Sequence, residues 1–372
     1  MPAVHIGNVE SCVFDSLSGT STVNFNSPAI LNWRRGFNIR PGQHLRFSFN
    51  DAAAGGAVLN RDLTRGFTNI FGRVSSNGRV VLIKPGGTIS IQAGAVIEAD
   101  GGFLASTLQV SDEAALLRGD AVDFQGPGSQ TSAIENRGTV RSANGNVVLI
   151  SGSVNNIAPG GRLLAPNGSV RIGAGTHVSL FGDRIEVIAG NGANPIINSG
   201  EIRGHDAVEI ESAPGGGSDA ITNDGNIRTT ANGSRVFLRA RDGGGIVNAV
   251  NGLIETDAFT VEAASFRSEG QIVLPDDGSN PAAPSGSRQF PRLSDGGLAS
   301  TPTSDFRLSR LSFSHLNGLE SKTKPTAKPT VRLAPTVAVR GAANADTSAK
   351  KPAPKPKKII LRRGSFFGKK TS

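Results

Sequence analysis

The sequence predicts an all-β solenoid, a parallel β-helix, with a polar basic tail behind it. Three observations carry that prediction. The first is a series of strands four to six residues long, rich in Val, Ile and Leu and bounded by Gly, Asn and Asp. The second is repetition: successive copies of one strand–turn–strand unit lie roughly 20–30 residues apart, a spacing typical of solenoids. The third is composition, since the 372 residues include 48 Gly, no Tyr, one Trp and only 5% aromatics. A narrow interior filled by small and branched side chains has that signature, and the repeat argues against a Gly-rich β-sandwich.

The elements follow in chain order. Residues 1–22 read as a lead-in and 23–275 as the solenoid. Its strands include Arg79-Val80-Val81-Leu82-Ile83, Asn146-Val147-Val148-Leu149-Ile150, Ser169-Val170-Arg171-Ile172 and Arg235-Val236-Phe237-Leu238. Asn-Gly pairs at 77–78, 144–145, 167–168, 191–192, 232–233 and 251–252 predict sharp corners, because both residues tolerate positive φ. One short helix is predicted over Ser111–Leu117, capped by Ser111 or Asp112. The repeated unit is clearest in Ile134–Val140, Ile197–Ile202 and Ile221–Ile227, each an apolar residue, an Asn turn with Gly, and another apolar strand. Its second half recurs in Val140–Val147, Leu164–Val170 and Ile227–Val236. Nine or ten such coils, stacked at about 4.8 Å, make a rod about 45 Å long. Trp33 and Phe37 are expected to plug its N-terminal end, where an open sheet edge needs shielding.

The charge is unevenly placed. Residues 1–275 hold 21 Lys/Arg against 24 Asp/Glu, residues 276–321 hold 4 against 5, and residues 322–372 hold 14 against 1. The body is therefore mildly acidic and the net charge of +9 comes from the tail. Residues 276–321 are rich in Pro, Ser and Gly and read as a linker. Residues 322–372 read as a disordered, self-repelling arm. Its Lys350, Lys351, Lys355, Lys357, Lys358, Arg362 and Arg363 are candidates for binding an anionic polymer. Without aromatic interleaving before Phe366, specific nucleic-acid stacking is not expected.

Several classes are excluded or disfavoured. A single Cys, Cys12, forms no internal disulfide and no multi-thiolate zinc site. No apolar run reaches the length of a membrane-spanning helix. Met1–Thr20 lack the charged start and apolar run of a signal peptide, so an export leader is either missing or not used. The five His, at 5, 44, 177, 205 and 315, show no ligand spacing, and neither a metal nor a cofactor is expected. Gly215–Gly217 and Gly243–Gly245 lack the context of a phosphate loop. Because β-helices also include polysaccharide lyases and hydrolases, carboxylate clusters matter. The densest is His205-Asp206 with Glu209 and Glu211. In a strand through 207–211 both glutamates share one face, opposite Val208 and Ile210, and that face is expected to be solvated. Asp219 and Asp224 read as turn residues.

One segment does more than repeat. Val23-Asn24-Phe25-Asn26-Ser27-Pro28-Ala29-Ile30-Leu31-Asn32-Trp33 precedes Phe37-Asn38-Ile39 and Val58-Leu59-Asn60-Arg61. Ile70–Ile83 and Gly102–Leu108 follow. In that order and spacing these motifs resemble the N-terminal secretion domain of the filamentous haemagglutinin family, large exoproteins exported by two-partner secretion. The resemblance implies a right-handed parallel β-helix, recognised by an outer-membrane transporter of the POTRA-barrel type and folded outside the cell. It implies a secreted or surface-displayed, non-catalytic, adhesin-like protein whose further target is a surface glycan or protein. By the same resemblance Asn32, Trp33, Asn60, Arg61, Asn77, Gly78, Pro85, Gly86 and Gly87 take part in transporter recognition. A β-helical polysaccharide lyase or hydrolase is the alternative.

This sequence departs from the family in three ways. The family's Asn-Pro-Asn-Gly corner is replaced by Lys84-Pro85-Gly86-Gly87, where Pro85 still presets φ and the glycines still supply the turn. The leader is absent. The chain also stops soon after the region of resemblance, where family members carry a long repetitive adhesive region.

Overall fold

The computed structural model of the protein describes residues 3–7, 9–50, 55–126, 132–182, 184–190, 195–213 and 219–274, and a two-residue strand at Leu311–Ser312. The chain divides into two compact units, Met1–Asn317 and Gly318–Ser372. Apart from Leu311–Ser312, the linker over 276–321 and the basic tail, with Lys350, Lys351, Lys355, Lys357, Lys358, Arg362 and Arg363, lie outside the described residues.

The first unit is a parallel β-helix. From Phe67 onward each coil contributes one strand to each of three sheets, the coils before it supply only two of them, and strands of successive coils pair side by side. Sheet A has 11 strands, beginning Ala3–Ile6, Ala29–Trp33, Ala57–Asp62, Arg79–Ile83 and Phe103–Ser106 and ending Ala258–Glu262 and Leu311–Ser312. Sheet B also has 11, from Val9–Asp15 to Gln271–Val273, and sheet C has 8, from Phe67–Ile70 to Ser265–Ser268. Pairing within the stack is parallel and in register, for example Val80↔Phe103, Phe103↔Val147 and Val147↔Val170. Only the terminal strands break the rule. Ala3–Ile6 pairs antiparallel with Ala29–Trp33, Val9–Asp15 with Thr20–Phe25, and Leu311–Ser312 with Ala258–Glu262.

Ala3–Ile6 and Val9–Asp15 occupy the N-terminal sheet edges, a role expected of Trp33 and Phe37. The two aromatics instead meet edge to face at 5.0 Å between ring centroids, one rung further in, on the strand that Ala3–Ile6 covers and in the turn after it. Phe25, Phe47 and Phe49 fill the solenoid interior nearby, with Phe25 and Phe49 stacked at 5.0 Å. Beyond them the interior is mainly Ile, Val, Leu and Ala, with Phe103 and, at the C-terminal end, Phe259, one residue in two along each strand.

Sheet A differs from the others in being covered on its outer face as well. Ile30, Leu59, Val81, Ile83, Leu104, Val148 and Ile150 point outward into a second apolar cluster with Leu116, Phe124, Val178 and Val187. The cover is built from two excursions of the chain. One carries Gln109–Val110, the helix Glu113–Arg118 and Val122–Gln125; the other is the hairpin His177–Phe181 and Arg184–Ala189. Together their strands form a four-stranded antiparallel sheet. The helix starts slightly later than the propensities indicate. Asp112 is its cap, accepting at 2.9 Å from the Ala115 N–H, and Gly119 ends it at φ +88°.

The Asn-Gly corners at 77–78, 144–145, 167–168, 232–233 and 251–252 are present, while 191–192 lies outside the described residues, and their chemistry differs from the expectation. Of these pairs only Gly233 has positive φ among the described residues, and no Asn does. At Gly78 and Gly145 the constraint is close approach between coils. A Cβ on Gly78 would lie 2.4 Å from the Gly56 carbonyl oxygen, and one on Gly145 would lie 2.4 Å from that of Gly101. Facing corners carry a ladder of buried asparagines. Asn136, Asn156, Asn198 and Asn223 each donate from Nδ2 to the Oδ1 of the next asparagine, ending at Asn248, at 2.8 Å in all four steps.

Candidate functional site

Most of the residues implicated by the family resemblance gather in the first coils, at the end of the sheet A strands. The strand period places Trp33, Asp62 and Lys84 at equivalent inward positions of three successive rungs. Leu31, Asn60 and Leu82 occupy the inward positions just before them. The Trp33 indole N–H donates to Asn60 Oδ1 at 3.0 Å, and Asn60 Nδ2 donates to the Val81 carbonyl at 3.2 Å. Asn60 is completely buried and both its amide atoms are used across rungs.

Below this pair lies a charged centre that the sequence motifs do not name. Lys84 and Asp62 are both fully buried, with Nζ 3.2 Å from Oδ1. Lys84 Nζ also donates to the Thr64 carbonyl at 2.6 Å and to Thr64 Oγ1 at 2.8 Å, and that hydroxyl donates to Asp62 Oδ1 at 2.7 Å. The other Asp62 oxygen accepts from the Phe37 N–H at 3.0 Å and from the Thr68 hydroxyl. Burial pushes the Asp62 carboxyl up. The hydrogen bonds from Phe37, Thr68 and Thr64 outweigh it and hold the group below its ordinary value.

The substituted corner is part of this centre. Lys84-Pro85-Gly86-Gly87 is a turn with Pro at its second position, Gly86 at φ +69° and the Gly87 N–H donating to the Lys84 carbonyl at 3.2 Å. That is the type II pattern, which needs glycine at the third position. Pro85 and Gly86 are exposed, whereas Lys84 turns inward to meet Asp62. An Asn side chain at 84 is uncharged and would leave Asp62 without its cation.

The remaining implicated residues are apart from this centre or serve as ties. Asn77, at the corner between sheets B and A, brackets Phe49, accepting from its N–H at 2.9 Å and donating to its carbonyl at 2.8 Å. Gly78 lies beside it against Gly56. Arg61 points outward and grips Glu113 at the start of the helix, Nε to Oε1 at 2.8 Å. Asn32 faces the same way, and its Oδ1 is buried with no hydrogen-bond partner. Sequence motifs missed Asp62, Thr64, Thr68 and Glu113. Asp62 stands two residues after Asn60, on the same face of a strand, which is the one signal that could have marked it.

The carboxylate cluster is placed differently from the expectation. Glu209 and Glu211 do point away from the interior, but they are 5% and 1% exposed rather than solvated. The hairpin of the second excursion and a set of arginines cover them. Glu209 is bound by Arg171 at 3.2 Å and Arg235 at 2.9 Å. Glu211 takes the Val187 N–H at 2.9 Å, Arg241 at 2.6 Å and Arg239 at 3.4 Å. Burial pushes the Glu211 carboxyl up against the pull of Val187, Arg241 and Arg239. Both glutamates are thus committed to arginines. The nearby depression of about 330 Å³ has Asp206 as its one carboxylate, beside Arg171 and Arg235. His205 lies outside it and pairs with Thr230 at 3.1 Å. Acid–base cleavage of a glycan needs two carboxyl groups facing one bond, and this arrangement does not provide them. Among the described residues no group of three or more His, Cys, Asp and Glu is placed to hold a metal ion. No helix among them is long and apolar enough to cross a membrane.

No family model and no curated protein matches the sequence. Among solved structures, the chain is similar to the secretion domain of HMW1 from Haemophilus influenzae. The TM-score is 0.56 at 19% identity, over 73% of this chain and 82% of that one. The shared feature is the fold.

Proposed function

We propose that this chain is a secreted exoprotein of the two-partner type, whose solenoid over 23–275 is read by an outer-membrane POTRA-barrel transporter. The observation that carries this reading is the clustering of ordered motifs in the first coils of a fold shared with a known secretion domain. Trp33 and Asn60 are bonded to each other there, Lys84 of the adjacent corner is bonded to Asp62 and Thr64, and Asn32, Asn77 and Arg61 lie on the same coils. The transporter meets these residues before the chain folds. After export each coil needs only its predecessor as a template, and the absence of disulfides suits a chain that must be threaded.

Outside the cell the protein is displayed or released as a non-catalytic adhesin that binds a surface glycan or protein. The linker over 276–321 spaces the basic arm over 322–372, which binds anionic polymer by charge alone. The engagement of Glu209 and Glu211 by arginines favours this reading over a polysaccharide lyase or hydrolase.

The test is expression behind an export leader, in a Gram-negative host with and without a matching transporter. Intact protein in the medium only when the transporter is present is the expected result. A folded, protease-resistant product held in the periplasm in both cases contradicts the proposal. Cleavage of an acidic polysaccharide by the purified protein would favour the enzyme.

A further inference from the structure

The outer face of sheet C is mostly polar, with Ile197 exposed further along, and its N-terminal end carries a cluster of apolar side chains. There Leu63, Phe67 and Phe71 are 49%, 61% and 43% exposed. They lie on one rung: Leu63 in the corner between sheets A and C, Phe67 on the first strand of sheet C, and Phe71 in the corner that leads to sheet B. The segment 34–40 is laid against this rung. The Leu63 N–H donates to the Trp33 carbonyl at 3.2 Å and the Phe71 N–H to the Ile39 carbonyl at 2.8 Å. The Asn69 N–H donates to Asn38 Oδ1 at 2.8 Å.

That arrangement surrounds the three apolar side chains with Arg34, Arg35, Arg40 and Arg65, none of them buried. None of the four has an ion-pair partner among the described residues, although most other arginines of the solenoid are paired. The nearest carboxylate in sequence, Asp62, is sealed inside with Lys84. A patch of four uncompensated guanidiniums is notable on a body with 21 basic and 24 acidic residues. The charge is arginine without lysine, and planar guanidinium forks suit phosphate oxygens. Phe67 and Phe71 are exposed beside these charges, and exposed apolar side chains set among cations suit the boundary of an anionic bilayer.

We infer that this corner is a membrane-contact surface. Arg34, Arg35, Arg40 and Arg65 bind phosphate headgroups of an anionic leaflet, and Phe67, Phe71 and Leu63 enter the boundary between headgroups and acyl chains. The site is separate from the basic tail and does not depend on how the chain is exported.

The tail also attracts anionic vesicles, so the test must report on the corner itself. Trp33 is the sole Trp, which allows the indole to be moved. The full chain carrying Trp33→Phe and Phe67→Trp is mixed with phosphatidylglycerol/phosphatidylethanolamine vesicles, with and without brominated acyl chains. Pure phosphatidylcholine vesicles are the control. The expected result is a blue-shifted emission that brominated anionic vesicles quench and phosphatidylcholine vesicles leave unchanged. Adding Arg34→Gln and Arg35→Gln should raise the lipid concentration for half-quenching by roughly thirtyfold, about fivefold for each basic side chain near the leaflet. Phe71→Ser in the native Trp33 background should lower vesicle affinity with the tail intact. Co-sedimentation with an unshifted, unquenched indole would mean that the tail alone binds, and overturns the inference. So does binding to a soluble acidic protein with no response to vesicles. Melting curves of the variants, all changed at solvent-accessible positions except Trp33→Phe, check that the fold is kept; Phe67→Trp alone repeats the measurement if that change destabilises it.

Discussion

The first coils and the later coils solve the same packing problem with different chemistry. Later coils repeat: the asparagines from 136 to 248 stack in one ladder, each at the same step of 2.8 Å, and the interior is mainly Ile, Val, Leu and Ala until Phe259 near the end. The first coils do not repeat. They hold Phe25, Phe37, Phe47 and Phe49, an indole bonded to Asn60, and a buried ion pair between Asp62 and Lys84. A ladder of identical residues specifies that coils stack but carries little information about which coil is which. A unique set of unlike partners specifies one register and one order, which is what a segment that must start folding, or be recognised, requires.

That contrast can be broken most severely at the ion pair. Lys84→Met leaves Asp62 buried and uncompensated and should cost about 3–5 kcal/mol in urea unfolding. The double variant with Asp62→Asn should recover most of that loss, because a buried pair replaced as a unit is often close to neutral. Next in size is the ladder. Asn198→Ala strips partners from both Asn156 and Asn223 and should cost about 1–3 kcal/mol. A similar loss for Asn248→Ala, nearer the end of the ladder, would show that its steps are interchangeable.

Acid should separate the two regions in the same order. Asp62 has a lower pKa when folded than its ordinary value, so the folded state favours its charged form. The stability this contributes is present above the unfolded carboxylate range, near pH 4, and is lost as pH falls through the folded value. Asp62→Asn should therefore flatten the acid limb of the stability profile, whereas Asn198→Ala should lower it without changing its slope. The smallest effect belongs to the exposed pairs. Removing Arg162–Glu201, bonded at 2.8 Å but with the arginine 47% exposed, should change stability by less than about 1 kcal/mol in a double-mutant cycle.

Strand alternation and repetition made the β-helix legible in sequence, because both report directly on burial. Arg79–Ile83 and Asn146–Ile150 were legible as strands, yet their unbroken apolar runs carried a second message. Val81, Ile83, Val148 and Ile150 need a cover outside sheet A, and the two excursions supply it. The fate of Glu209 and Glu211 was hidden for the same reason. Period-two logic placed them outside correctly, but only the fold brings the hairpin and Arg171, Arg235, Arg239 and Arg241 over them. The asparagines of the ladder were visible as turn residues. Their inward stacking depends on register between coils, which no single repeat displays. Lys84 looked like a departure from a family corner. Its partner is 22 positions earlier on the neighbouring rung, a relation set by coil length.

The central claim, that the first coils carry recognition and the later ones mainly templated stacking, is tested most directly by transporter-dependent release. Two variants of matched stability are compared in cells that carry the transporter: Asn77→Ala in the first coils and Asn223→Ala in the ladder. Release of Asn77→Ala should fall sharply while Asn223→Ala reaches the medium at close to the native yield. Equal release of the two, or a loss confined to Asn223→Ala, would contradict the claim.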